Sequence, residues 1–233
     1  MKEDRIAFMI HAGSRMVGKY VGGRWHDRAK EKWPVGVAHP DLFPIVDPDE
    51  INAYLRAEST ASNYGFFNRL LLGEIVRRRL GQVFGPSVRA PLVSDIPHNI
   101  TSSRLRLDYD SLKPETWDGY RYIARKGACP AETGNAVLIP GSMGAPSYLM
   151  RGLGNEEFMA TASHGAGRAQ ARVAMHRSKV EEPPFECYTL REERRVEEAP
   201  SAYKPIAPVV DVQVKHGIVD YVAEMTPLFT FKC

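Results

Sequence analysis

Between Ile51 and Leu80 the apolar residues recur at the spacing of an α-helix, through Ile51 to Leu55 and then Tyr64, Phe67, Leu71 and Ile75 to Leu80. Residues three and four apart share a helix face, so this stretch predicts the longest helix of the chain, with one apolar stripe. A loop rich in proline and aspartate leads to it from Pro34 to Pro48, and Asp49 or a neighbour is the expected cap. Gly81 is the expected stop. A chain of 233 residues, 43% hydrophobic and 25% charged, can bury one sizeable core around such an element but not two. Residues 1–233 therefore read as a single domain.

The other elements share a theme: a short apolar run emptying into a turn of small and polar residues. Ile6 to Ile10 reads as a buried strand ending on His11-Ala12-Gly13-Ser14-Arg15, and Ala136 to Ile139 as a strand running into Pro140-Gly141-Ser142-Met143-Gly144. Val93 to Ile96 is a strand-like run ending on Pro97-His98-Asn99, and Trp117 to Arg125 reads as a strand before Lys126-Gly127. A helix is expected from Gly167 to about Arg177. The charged stretch Glu181 to Glu198, broken by Pro183-Pro184, reads as a solvated flap or edge. From Pro205 to Val222 the period fits a strand through Val210, Val212 and Val214 or a helix onward from Asp211. Pro227 to Cys233 reads as a short closing strand. The fold class expected is α+β, mixed sheets with flanking helices.

Composition excludes several classes. The three cysteines, Cys129, Cys187 and Cys233, lie far apart with no C-x-x-C pair, so neither a zinc knuckle nor a disulfide framework is indicated, and a reducing cytoplasmic setting is expected. No apolar stretch approaches the roughly 20 residues of a membrane span, and the first residues lack the apolar core of a secretion signal. A net charge of +3 suits a chain that meets phosphates without requiring it.

The chemistry concentrates at two glycine turns and three histidines. In TASHGAGR, residues 161–168, His164 stands directly before Gly165, Ala166 and Gly167. Glycines let the backbone turn with positive φ, and amides at the start of the next element offer donors to an anion, so a phosphate fits there. His164 then has three chemical uses, as general base, metal ligand or nucleophile toward phosphorus. A histidine that caps its own turn explains the stretch equally well. Arg168 and Arg172, one helical turn apart, suit either a phosphate clamp or a solvated face. His11 and His98 each end a strand-like run, where two imidazoles can hold a divalent metal, although such a site commonly needs three protein ligands. Asp95, on strand spacing, falls on the face opposite His98. His26, His39, His176 and His216 read as surface residues, and Arg77-Arg78-Arg79 complements a helix C-terminus.

Taken in order, the pieces HAGSR (11–15), PHNI (97–100), RKGA (125–128), ETGNAVLIPGSMGAPSY (132–148), SHGAGR (163–168), EEAPSAYKPI (197–206) and PLFTFKC (227–233) resemble the RtcB family of RNA ligases over nearly the whole chain. The resemblance implies a compact α+β architecture with the site on strand ends and loops. It implies a GTP- and Mn2+-dependent enzyme that joins RNA ends bearing a 3′-phosphate or 2′,3′-cyclic phosphate to a 5′-hydroxyl. His164 resembles the histidine that takes GMP on its ring, and His11 and His98 two of the metal ligands. Asn99 resembles a nucleotide contact, and Pro140, Gly141, Ser142, Met143 and Ser147 the guanylate-binding turn. Gly165, Ala166 and Gly167 resemble its phosphate-side neighbour, and Tyr203 and Lys232 further contacts to GMP.

Family members normally carry, before the HAGSR position, an Asp and a Cys in one motif and a His in a GNHF-type motif, which supply most of the metal ligands. The sequence starts at the strand before HAGSR, has Ala12 where Ser is usual, and ends on Cys233 where glycine is usual. Three readings follow: one part of a split ligase completed by a separate polypeptide supplying the N-terminal half, a non-catalytic guanine-nucleotide or RNA-binding module, or a degenerate remnant.

Overall fold

The structure is a computed structural model that describes residues 6–33, 43–105, 120–176 and 186–232. It divides into two compact units, a helical one of Phe8–Asp95 with Ile100–Ala124 and a sheet one of Met1–Ala7, Ile96–Asn99 and Arg125–Cys233.

The helical unit is built on α1 (Arg15–Lys32) and α2 (Pro48–Phe84), with the two-stranded sheet of β1 (Asn99–Leu105) and β2 (Tyr120–Lys126). The expected long helix is therefore present, but its ends differ from expectation. Asp47, not Asp49, is the cap, its carboxylate accepting from the Glu50 amide at 2.9 Å, and Pro48 opens the first turn, where a missing N–H costs nothing. Gly81 stays inside the helix. Gly85, at φ 94°, ends it, a region that residues with a Cβ avoid. Arg28 and Lys32 of α1 bind the Glu50 carboxylate at 2.7 and 2.6 Å, and Trp25 meets Tyr54 edge to face.

The apolar stripe of α2 is the larger departure. Tyr64, Phe67, Leu71 and Ile75 are 46, 62, 48 and 48% exposed, whereas the buried positions are Ala61 and Gly65. Gly65 is small for a reason: a Cβ there would sit 3.3 Å from the Ser14 amide nitrogen, because the loop after His11 lies against the helix. Asn68 Nδ2 donates to the Gly13 carbonyl and Arg69 Nη1 to the Ala12 carbonyl, each at 3.0 Å. Ile6 to Ile10 forms no strand. The carbonyls that follow it are taken by side chains of α2 instead of by a neighbouring strand, and a strand without a ladder leaves its peptide groups unpaired. Asp95 also lies outside any strand and closes an ion pair with Arg69 at 2.6 Å.

In the sheet unit, β3 (Ala128–Pro130) pairs antiparallel with β6 (Thr161–Ser163), setting Ala128 opposite Ser163. A second sheet runs β4 (Ala136–Ile139), β5 (Ser147–Gly152) and β8 (Val219–Met225), all antiparallel, with Ile139 opposite Tyr148. The short β7 (Glu186–Thr189) and β9 (Phe229–Lys232) pair in parallel, so the closing strand is present. Alternate residues of β4 and β5 are buried, as period-2 patterning requires of a sheet with one covered face. Val137, Ile139, Tyr148 and Met150 supply that face, joined by Cys129, Ala162, Ile206, Val210 and Val219 in one apolar cluster.

The ambiguous stretch after Pro205 divides into a helix, α5 (Ala207–Lys215), followed by β8. Val210 and Gln213, three apart, are buried, while Val212 and Val214 are exposed, so the valine alternation reflected no strand. The helix expected after Gly167 shrinks to α3 (Arg172–Met175). The residues before it are held elsewhere: Ala169 N–H donates to the Ala202 carbonyl at 2.8 Å, and Arg168 forms a β-bridge with Tyr203. The charged segment expected as a flap holds β7 and α4 (Glu192–Glu197), and its last acids, Glu197 and Glu198, are only 15 and 16% exposed at the side chain. Among the described residues no helix is long and apolar enough to cross a membrane.

Candidate functional site

His164 follows β6 and is 8% exposed. Its amide donates to the Gly127 carbonyl at 3.0 Å, which fixes the backbone, and its Nδ1 lies 3.1 Å from the Leu138 carbonyl oxygen of β4. A carbonyl has no proton to give, so in the neutral ring Nδ1 carries the hydrogen and Nε2 the lone pair. The His98 ring stacks on it with centroids 4.0 Å apart and planes 3° apart, so each imidazole limits the rotation of the other. His98 in turn accepts the Ala128 amide on its carbonyl at 3.1 Å, and Asn99 Oδ1 accepts the Gly127 amide at 2.8 Å. The PHNI and RKGA stretches are thereby tied together beneath the ring pair.

The turn after β4 lies beside the ring pair. Ser142 closes it through its carbonyl, which accepts from Ala145 at 3.2 Å, and the Ser147 hydroxyl accepts the Gly141 amide at 3.0 Å. A methyl on Gly141 would overlap the Pro146 carbonyl oxygen and sit 2.5 Å from that of Ala145, so glycine is required by close backbone approach. Met143 is buried, its sulfur 3.5 Å from the Cys187 thiol. The loop after His164 reaches this turn, since a Cβ at Gly165 would be 3.8 Å from the Pro140 carbonyl oxygen. Gly167 turns at φ 73° in open space, and its carbonyl accepts from Lys204 at 3.1 Å. Ala166 packs on the sheet cluster.

Tyr203 is joined to this loop through Arg168. Its hydroxyl donates to Glu198, and Arg168 Nη1 donates to the same hydroxyl at 3.3 Å. Burial foremost, and then the Glu198 carboxylate, push the Tyr203 phenol up to about 12. Lys232 lies beside Thr189 in the β7–β9 register, and His11 belongs to the helical unit, exposed, ahead of α1. Arg168 and Arg172, open in sequence to either a phosphate clamp or a solvated face, pair with the Glu198 carboxylate at 3.3 and 3.4 Å. His26, His176 and His216 are exposed, as expected, while His39 lies outside the described residues.

These contacts hold motifs far apart in sequence in one arrangement, and the same motifs match a known group over their whole length. A family profile described as tRNA-splicing ligase RtcB matches residues 1–233. The chain belongs to the RtcB family. It is 30% identical over 221 residues to the RNA-splicing ligase RtcB of Escherichia coli, covering 91% of this chain and 53% of that protein. The RtcB of Mycobacterium tuberculosis is 33% identical over 259 residues, 98% of this chain and 57% of the relative. The tRNA-splicing ligase RtcB of Archaeoglobus fulgidus is 31% identical over 261 residues, 98% and 52% respectively. The chain thus spans about half the length of the RtcB relatives it matches.

Three participants went unread in the sequence. The Leu138 carbonyl orients His164, but a backbone acceptor leaves no trace in residue identity. Gln213, 3% exposed, accepts the Ser163 amide at 2.7 Å and donates to the Val209 carbonyl at 3.0 Å, holding the strand that ends on His164. Its signal, one amide among valines, was weak. Glu198 reads in sequence as part of a solvated segment, and only the fold turns it inward.

Proposed function

We propose that this chain carries the nucleotide-transfer half of a GTP- and Mn2+-dependent RNA ligase, acting on RNA with 3′-phosphate or 2′,3′-cyclic phosphate ends and 5′-hydroxyl ends in the cytoplasm. The observation that carries the reading is the His164 ring, held by the Leu138 carbonyl on Nδ1 and by the stacked His98 on its face. A ring pinned in this way presents Nε2 as nucleophile without rotational search. As Nε2 bonds to the α-phosphorus of GTP and the bond to pyrophosphate breaks, the ring becomes cationic, and the Leu138 carbonyl dipole offsets that charge. The guanylyl group then passes to the RNA 3′-phosphate: the N–P bond breaks, an O–P bond forms, and the ring returns to neutral. The 5′-hydroxyl oxygen finally bonds to the phosphorus of the RNA 3′-phosphate as the O–P bond to GMP breaks, and its proton leaves to solvent.

Imidazole donors by themselves favour zinc, copper, iron or nickel, and manganese is held better where carboxylate or other oxygen ligands complete the set. His98 and His11 are the residues we assign to it, where the ion when bound neutralises charge building on the phosphoryl oxygens. The turn Pro140–Met143 with Ser147, together with Asn99, Tyr203 and Lys232, would hold the guanylate, and Gly165 to Gly167 its phosphate. The remaining metal ligands we assign to residues corresponding to the half of the relatives outside the match, which can be added in an assay as a second polypeptide.

The test is incubation with GTP labelled at the α-phosphate and Mn2+, with and without that second polypeptide. An acid-labile adduct is expected, absent in His164→Ala. GTP binding without an adduct in either setting selects a non-catalytic binding module, and no binding at all a remnant.

A further inference from the structure

We propose that Glu198 is a positioning residue for base recognition: by accepting the hydrogen bond of the Tyr203 hydroxyl it leaves that oxygen able only to accept, so that Tyr203 favours a base whose Watson–Crick ring nitrogen is a donor. This deepens the reading of Tyr203 as a guanylate contact and rests on it. The chain between the two residues makes the contact local. A single 3-10 turn, Pro200–Ala202, folds Tyr203 back toward Glu198, over a floor of buried Met175, Ala199 and Ala202. Ionised carboxylate has no hydrogen, so the phenol must be the donor. Arg168 Nη1 fills one lone pair of the phenol oxygen at 3.3 Å, and its carbon Cζ lies 5.1 Å from the ring centroid.

Arg168 cannot swing away to change this. Its Nε donates to the Gln170 carbonyl at 2.9 Å, its Nη2 to the Glu197 carbonyl at 2.6 Å and its Nη1 to Glu198 at 3.3 Å. The second lone pair of Tyr203 is then the group a ligand meets. Guanine offers N1–H and the N2 amine along one edge, whereas the N1 of adenine is an acceptor and is repelled at such an oxygen. The residues flanking Glu198 add charge of both signs: Arg172 Nη2 reaches it at 3.4 Å, and His176 Nε2 lies 3.1 Å from Glu197.

The experiment measures GTP and ATP affinity in the presence of Mn2+, on the chain with the second polypeptide wherever that is needed for binding. Glu198→Gln replaces an obligate acceptor by a group that also donates, and the expected result is about tenfold weaker GTP binding with a smaller GTP-to-ATP preference. Glu198→Asp keeps the charge, shortens the reach and should lose the same preference. The double variant Glu198→Gln/Tyr203→Phe should match Tyr203→Phe alone, because Glu198 acts through the phenol. Absorbance titration should show the most alkaline tyrosine moving to lower pH in Glu198→Gln and disappearing in Tyr203→Phe. Unchanged GTP affinity and preference in both Glu198 variants, with Tyr203→Phe impaired, overturns the proposal and leaves the ligase reading intact. Additive losses in the double variant also overturn it. A wild-type chain that binds no GTP in either setting removes both.

Discussion

At His164 one carbonyl decides which nitrogen keeps its lone pair, and at Gly141 one hydrogen decides whether the neighbouring turn can close. Gly141→Ala should therefore move the turn off Pro146 and Ala145, lowering GTP affinity at least tenfold with little change in the adjacent sheet. Isothermal titration with GTP beside a thermal melt checks both halves of that statement. Two side chains also set a pH limit. Burial pushes the Cys129 thiol from 9 up to about 11, and Tyr203 is raised from 10 to about 12. Both groups are neutral when protonated and hold their protons more tightly when folded. Their contribution is thus complete below about pH 9 and is lost as pH rises through 11 and 12. Melting temperature should fall across that window, and Cys129→Ala should flatten its lower part. The residue types at His164, Gly141 and Tyr203 were legible in the sequence, because they belong to motifs. The partnerships with Leu138, Gln213 and Glu198 were not, even though Leu138 and Glu198 lie within those motifs, because each is a contact that exists only after folding.

Among the elements, α2 was the most legible and the most misleading. The 3.6-residue period predicted the helix, since amphipathic spacing is a local property. Which stripe would be covered is not local, and Tyr64, Phe67, Leu71 and Ile75 lie open. Phe67→Gln and Leu71→Gln should each cost under about 1 kcal/mol in a denaturant titration of this chain. Met150→Ala should cost about 2–5 kcal/mol, because Met150 is 1% exposed inside the β4–β5–β8 cluster. A loss of several kcal/mol at Phe67 would show that α2 is covered on that face. The α5 segment makes the converse point. Val210, Val212 and Val214 fit two periods equally, and Pro208 in the first turn together with the buried pair Val210 and Gln213 resolved them only in three dimensions.

Among the described residues the buried apolar clusters lie in the sheet unit, one around β4 and β5 and one under Tyr203. Hydrogen exchange should accordingly be slowest at the amides of β4, β5 and β8 and faster by orders of magnitude along α2, which belongs to neither buried cluster. Equal protection in both units would contradict this distribution of packing. Family membership, the glycine turns, the three histidines and the existence of a long helix were determined by sequence alone, because they depend on residue identity and on spacing within a few turns. The pairing of His98 with His164, the inward turn of Glu198, the capture of the residues after Ile10 by α2, and the exposure of the α2 stripe were decided only by tertiary structure. Each depends on which distant surfaces meet, and burial is a property of the pair of surfaces and not of either one.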